Sequence, residues 1–152
     1  MYYKLIILTF IVTALWDVVL RFMSLNYEKL PQYFQMDFVE YLNPYFKKHT
    51  MLAAALIAGF VGATTQPIIL SMMDFPKSIF DFGYVSKFMV LSFIISALYG
   101  FIMKWSNLFP HLVTHYYNKL GVARSMYTDG ISGLVVQTTL LGLYYIFNIS
   151  RM

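Results

Sequence analysis

The sequence predicts an all-α membrane protein in which four transmembrane helices form a compact bundle, accompanied by two short interfacial amphipathic helices. The first observation behind this prediction is composition: 59% of the 152 residues are hydrophobic and 12% are charged, against roughly 25% charged residues in soluble domains. A single domain spanning 1–152 cannot bury so much apolar surface, so lipid has to cover part of it. The second observation is that four apolar stretches approach the ~20 residues that a helix needs to cross a bilayer.

Within this integral membrane domain, the predicted spans cover about residues 5–25, 51–73, 85–104 and 129–148. Helices are expected because backbone groups in lipid have to form their hydrogen bonds within the segment. Lys4 ahead of the first apolar run is a feature of signal peptides. However, the run continues past Ala14 to Leu25 and no A-x-A-like site follows. The first stretch is therefore predicted to be an uncleaved span.

Two segments between the spans are predicted to be amphipathic helices lying in the membrane interface, at about residues 31–46 and 108–120, and the first is expected to be broken near Pro44. In each segment apolar residues recur every four positions, which places them on one helical face. These residues are Phe34, Phe38, Leu42 and Phe46 in the first segment and Leu108, Leu112, Tyr116 and Leu120 in the second. Tyrosines near the segment ends are typical of the aromatic belt at a membrane surface.

The third observation is a polar stripe along the first span. Its members recur at intervals of four or three residues and so share one helical face; they are Thr9, Thr13, Asp17, Arg21 and Ser24. Asp17 and Arg21 stand at i and i+4, a spacing that predicts an ion pair. The other spans carry Gln66, Ser96 and Gln137 among small residues, which let membrane helices approach closely. We therefore predict an inward-facing polar seam made of Thr13, Asp17, Arg21, Gln66, Ser96 and Gln137.

Two interpretations of this seam are open. In the first, the pair and the amides hold four helices in register. In the second, the seam is a proton, ion or solute path around Asp17, Gln66 and Gln137, because ionisable groups inside a membrane are functional candidates. Arg21 would neutralise Asp17 and make it a poor cation site, which favours the structural interpretation. Pro67 predicts a kink in the second span, but no second proline interrupts a span as paired transporter discontinuities would require.

Motifs for catalysis, cofactors or nucleic acid are not found in the sequence. There is no cysteine, and the net charge of +4 is scattered instead of forming a basic cluster. His111 and His115 stand at a spacing that can chelate a metal, yet Leu112 occupies the position where a zinc protease motif needs glutamate. We therefore expect no enzyme activity, no cofactor and no metal site, and we read the histidines as a solvated helix face.

Orientation is predicted from the Lys and Arg residues near the span ends. The two long loops hold Lys29, Lys47, Lys48, Lys104, Lys119 and Arg124, and the opposite side holds Lys4, Lys77, Lys87 and Arg151. This bias favours long loops in the cytoplasm and both termini together on the non-cytoplasmic side. The layout of long, short and long loops is roughly symmetric, but we find no convincing internal sequence repeat.

The stretches "HTMLAAALIAGFVGATTQ", "DGISGLVVQTTLLGLYYIFN" and "LWDVVLR" resemble parts of uncharacterised small multi-pass membrane proteins of large nucleocytoplasmic DNA viruses. The resemblance implies a structural or assembly role in the internal lipid membrane of a virion, or in a host endomembrane. It also implies capsid or other membrane proteins as partners, which would meet the loops 26–50 and 104–128. No functional residue is transferred by the resemblance, and homo-oligomerisation stays open.

Overall fold

The computed structural model describes residues 3–48, 50–106 and 121–147, and these residues are helical apart from short connections. Four long helices are joined by turns and by a segment of short helical pieces. In chain order the elements are α1 (Tyr3–Leu25), two 3₁₀ turns (Tyr27–Lys29 and Gln32–Phe34), α2 (Asp37–Tyr41), α3 (Asn43–Lys48), α4 (Met51–Met72), α5 (Phe82–Ser106) and α6 (Val122–Phe147).

Helices α1, α4, α5 and α6 are each long and apolar enough to cross a membrane. The all-helical prediction with four candidate spans is therefore confirmed. Helix α1 shows why the polar stripe is tolerated, since Thr9 and Ser24 are buried within the protein. The opposite face is an exposed apolar stripe suited to lipid, consisting of Ile7, Ile11, Leu15, Val19 and Phe22.

Two helix boundaries differ from the predicted ones. Helix α5 begins at Phe82 instead of about 85, and helix α6 begins at Val122 instead of about 129. The predicted spans begin where the apolar run begins, but charged residues ahead of that run, such as Arg124 and Asp129, do not stop a helix. The chain before α6 instead turns at Gly121, whose φ of 79° suits a residue without a side chain. Helix α4 continues through Pro67 to Met72.

The first predicted interfacial helix consists of shorter pieces, and the break that was predicted near Pro44 lies between α2 and α3. A 3₁₀ turn, α2 and α3 occupy the segment 31–48, and Pro31 and Pro44 each stand where a piece begins, as expected from the missing proline N–H. The predicted apolar face is also divided, because Phe34 is exposed whereas Phe46 is buried. The second predicted interfacial helix, 108–120, lies outside the described residues.

The long helices form two antiparallel pairs, α1 with α4 and α5 with α6. At one end of α1, Asn43 Nδ2 donates to the Ser24 carbonyl at 2.8 Å, so α4 starts there and runs back along α1. At the other end an apolar cluster joins all four helices and the α4–α5 connection, through Val12, Ile69, Phe75, Phe88, Val136 and Leu140. Contacts between the pairs are fewer and run from α1 to α6 and from α4 to α5.

Close approach within each pair depends on two glycines. A methyl group added at Gly62 would lie 2.8 Å from Thr13 Cβ, and one added at Gly59 would meet the ring of Phe10. In the second pair, a methyl group added at Gly133 would likewise meet Ser96, and one added at Gly130 would meet the ring of Phe93. Small residues permit such contact between membrane helices.

These equivalent contacts reveal an internal repeat. Aligning the contacts superimposes "LTFIVTALWDVVL" (8–20) on "LSFIISALYGFIM" (91–103), and "GFVGATTQ" (59–66) on "GISGLVVQ" (130–137). This alignment matches α1 with α5 and α4 with α6, so it converts the α1–α6 contact into the α5–α4 contact. Such an exchange is the pattern of an approximate two-fold axis along the bundle. The roughly symmetric loop layout therefore reflects an internal repeat, although none is convincing from the sequence alone. Conservative exchanges such as Thr for Ser and Trp for Tyr, and unequal loops, conceal the repeat in the sequence.

Candidate functional site

A cavity of about 730 Å³ lies between the two helix pairs and is lined by all four long helices. The predicted seam residues other than Arg21 line it, namely Thr13, Asp17, Gln66, Ser96 and Gln137. The seam is thus a space between two weakly connected pairs, and side chains do not fill it. Most of the remaining lining is apolar, including Leu20, Ile57, Val61 and Val135.

Gln66 and Gln137 pair across the cavity wall. They occupy the same position in the two repeats, and each amide nitrogen donates to the other residue's side-chain oxygen; the bond from Gln66 Nε2 to Gln137 Oε1 is 3.4 Å long. Both side chains are buried. A reciprocal contact of this kind is the one that a two-fold axis produces, so the amide pair marks where the repeats meet.

A second set of polar contacts also joins the repeats. Trp16 Nε1 on α1 donates to Thr139 Oγ1 on α6 at 2.7 Å. At the equivalent aromatic position, the Tyr99 hydroxyl on α5 bonds to Thr64 Oγ1 on α4. Because the single Thr64 hydroxyl proton is directed to the Phe60 carbonyl, Tyr99 is the donor in this contact. Both aromatic side chains line the cavity.

The predicted ion pair is not formed through the buried oxygen of Asp17. Arg21 Nη1 donates to the Phe46 carbonyl oxygen on α3 at 2.9 Å. The Oδ2 atom of Asp17 is buried and has no hydrogen-bond partner. Helical spacing alone suggested the pair, but the carbonyl at the end of the short helix α3 offers Arg21 an acceptor from outside the span. The Arg21 charge still acts on Asp17 through space, so the two residues interact without a hydrogen bond to Oδ2.

The two ends of the cavity differ. Toward the segment 26–48 it is lined by Phe34, Met36 and Leu42. Toward the α4–α5 connection the apolar cluster around Ile69 and Leu140 fills the space between the helices. In the part of the chain that the structure describes, the cavity therefore extends from mid-bundle toward one membrane face.

Trp16 and Tyr99 also line the cavity, although they were not among the predicted seam residues. The signal for the two aromatic residues is present in the sequence. Each follows the same "FI-aliphatic-hydroxyl-AL" motif, in 10–15 and in 93–98. Only the alignment by contacts makes that motif recognisable.

No family model, curated protein or solved structure is significantly similar to this chain. The site therefore has to be interpreted from its own geometry. Within the described residues no group of three or more His, Asp or Glu side chains could hold a metal ion. His111 and His115 lie outside those residues.

Proposed function

We propose that the protein binds a small molecule in the cavity between its two repeats, as the binding site of a small membrane carrier. This is the transporter alternative of the sequence analysis. The observation that carries it is the volume of about 730 Å³ at mid-bundle, since membrane helices held together only for structural reasons pack without such a space. Ligand sites typically have volumes of roughly 300–1,000 Å³ with mostly apolar walls and a few polar groups.

The shape of the cavity favours a carrier or receptor over an open channel. The apolar cluster at the α4–α5 end blocks a continuous water path through the described helices. The pairs are held to each other by the apolar cluster at one end and by a few polar contacts, whereas close glycine contacts hold each pair together along its length. Two rigid units joined at a weak interface around a central site are the arrangement found in transporters built from parallel repeats.

The structural or assembly role and the viral membrane implied by the resemblance stay predictions, as do the capsid and membrane-protein partners. The bilayer partner has firmer support, because the four apolar helices fit an integral membrane protein. The two proposals are compatible, because the cavity lies inside the bundle while a partner would meet its ends.

A cavity-filling substitution tests the binding proposal. Ala58 lines the cavity, so Ala58→Phe should fill it, and Ala123→Phe is the matched control at an exposed position of α6. Trp105→Phe leaves Trp16 in the cavity wall as the single tryptophan. In phosphatidylcholine nanodiscs, energy transfer from Trp16 to a neutral probe, N-butyl dansylamide, should then be saturable. We expect Ala58→Phe to weaken this binding by about tenfold or more, about 1.4 kcal/mol.

The control variant should bind the probe as the parent protein does. Transfer that rises linearly with probe concentration and is equal in both variants would show partition into lipid and would refute the proposal. Thermal unfolding of Ala58→Phe in detergent checks that the variant is folded.

Topology is tested by single-cysteine labelling, which is clean because the chain has no cysteine. We propose that both termini lie on the same, non-cytoplasmic side. Tyr3→Cys and Phe147→Cys, both at exposed positions, should react alike with a membrane-impermeant maleimide in sealed vesicles. Glu28→Cys, exposed at the opposite end of α1, should show the opposite accessibility. Unlike labelling of positions 3 and 147 would contradict four spans.

A further inference from the structure

We propose that the cavity accepts a protonated amine carried on an apolar body, with Asp17 as its counter-ion. This inference rests on the proposed binding function and adds the chemical class of the ligand. Asp17 lines the cavity, and its buried Oδ2 atom has no hydrogen-bond partner. A buried carboxylate oxygen without a partner is costly, and a hydrogen-bond-donating cation in the cavity would satisfy it once the carboxylate turns toward the ligand.

The repeat provides an internal comparison for Asp17. The equivalent position in the second repeat is Gly100, which also lines the cavity. The second pair makes the same glycine contacts with no carboxylate at that position. Helix packing therefore does not need Asp17, and its acidic group is available for another purpose.

Hydrogen bonds along the wall leave acceptors and few donors. The hydroxyls of Thr13, Thr65, Thr128 and Ser132 each donate to a backbone carbonyl of their own helix. Since a hydroxyl has one proton and two lone pairs, these groups can only accept from a ligand. The indole N–H of Trp16 is likewise used on Thr139. The donors that stay available, such as the second N–H of Gln66 and of Gln137, are neutral, and no described lining residue is Lys or Arg. An anion would therefore meet no positive charge, whereas a protonated amine would meet acceptors and the Asp17 carboxylate.

Charge and aromatic character support the same ligand. Asp17 contributes a carboxylate to the wall, whereas none of the described lining residues is Lys or Arg. Trp16 and Tyr99 present aromatic surface in the same cavity, and aromatic rings attract cations. The largely apolar lining excludes a bare metal ion, which needs several oxygen ligands. The cation should therefore carry an apolar body that fills the rest of the space.

The test compares three dansyl probes in phosphatidylcholine nanodiscs, with Trp16 as the donor in the Trp105→Phe background. The probes are dansylcadaverine, which carries a protonated primary amine, the neutral N-butyl dansylamide, and the anionic dansyl-aminohexanoate. We expect the amine to bind at least about tenfold more tightly than the neutral probe, and the anion more weakly than both. Asp17→Asn should reduce amine binding to the level of the neutral probe and leave the neutral probe unchanged.

Asp17→Glu, which keeps the charge, should bind the amine within about threefold of the parent protein. Asp37→Asn is the matched control at an exposed position of α2 and should change nothing. Equal binding of the amine and neutral probes by the parent protein would overturn the inference, as would equal weakening of both by Asp17→Asn. In both cases cavity binding itself would stand. If none of the probes gives saturable transfer, both the inference and the proposed function fail.

The amine could belong to a membrane lipid or to a water-soluble amphipathic molecule. Replacing phosphatidylcholine by phosphatidylethanolamine separates these sources. A severalfold loss of dansylcadaverine affinity would show competition by the lipid amine, and unchanged affinity would indicate a soluble amine.

Discussion

Gly133→Ala is expected to destabilise the protein by about 1–3 kcal/mol, the usual cost of overpacking a tight contact. The added methyl carbon would lie 2.7 Å from Ser96 Cβ and 3.4 Å from the Ser92 carbonyl oxygen. Rotation of the Ser96 side chain cannot relieve this contact, because the Ser96 Cβ is attached directly to the backbone. Helix α5 would therefore have to withdraw from α6 at this contact.

Gly142→Ala is the matched control, since it lies in the same helix and an added methyl group meets nothing within 4 Å. That variant should be unchanged or more stable by a few tenths of a kcal/mol, because alanine favours helix. Reversible unfolding in mixed detergent micelles measures both. Ser96→Gly combined with Gly133→Ala should recover much of the loss. Equal stability of the two alanine variants would mean that α5 and α6 are not in close contact.

Removing one amide of the Gln66–Gln137 pair is expected to cost about 1–3 kcal/mol, because the remaining buried amide loses its partner. Methionine has a similar length and no hydrogen-bond donor, so Gln66→Met and Gln137→Met are suitable single variants. The double variant leaves neither amide unsatisfied and should recover much of the loss. The coupling energy should exceed the roughly 0.6 kcal/mol average of polar contacts between membrane helices.

Gln32→Met is a matched control at an exposed position outside the bundle and should leave stability unchanged. The double-mutant cycle separates the pair from effects of each side chain alone. Additive losses would show that the two amides do not meet, and the axis between the repeats would then have to be placed elsewhere.

The sequence predicted that residues of the polar stripe lie inside the bundle, for a reason that does not depend on tertiary structure. A four-residue period places Thr9 and Thr13 on one face, and lipid excludes polar groups from the opposite face. Their hydroxyls are satisfied within α1, since Thr9 donates to the Leu5 carbonyl and Thr13 to the Thr9 carbonyl. Such local hydrogen bonds can be anticipated from spacing alone.

Partners from other elements could not be predicted in the same way. Spacing suggested Asp17 for Arg21, but the acceptor that the structure provides is Phe46, whose carbonyl is brought to α1 by the fold of the segment 26–48. Helix α6 starts at Val122, before the predicted span at about 129, because hydropathy predicts contact with lipid whereas a helix ends where its backbone hydrogen bonds end.

By itself, the sequence determined that four apolar helices are long enough to span a membrane and that a polar stripe of α1 lies opposite its apolar face, because both follow from hydrophobicity and helical period. Tertiary structure decided which helices pair, how Gln66 meets Gln137, and that a cavity with Asp17 in its wall remains between the repeats. These features depend on contacts between residues far apart in the chain, such as Gly133 with Ser96. Hydrophobicity and period describe one helix at a time and contain no information on such contacts.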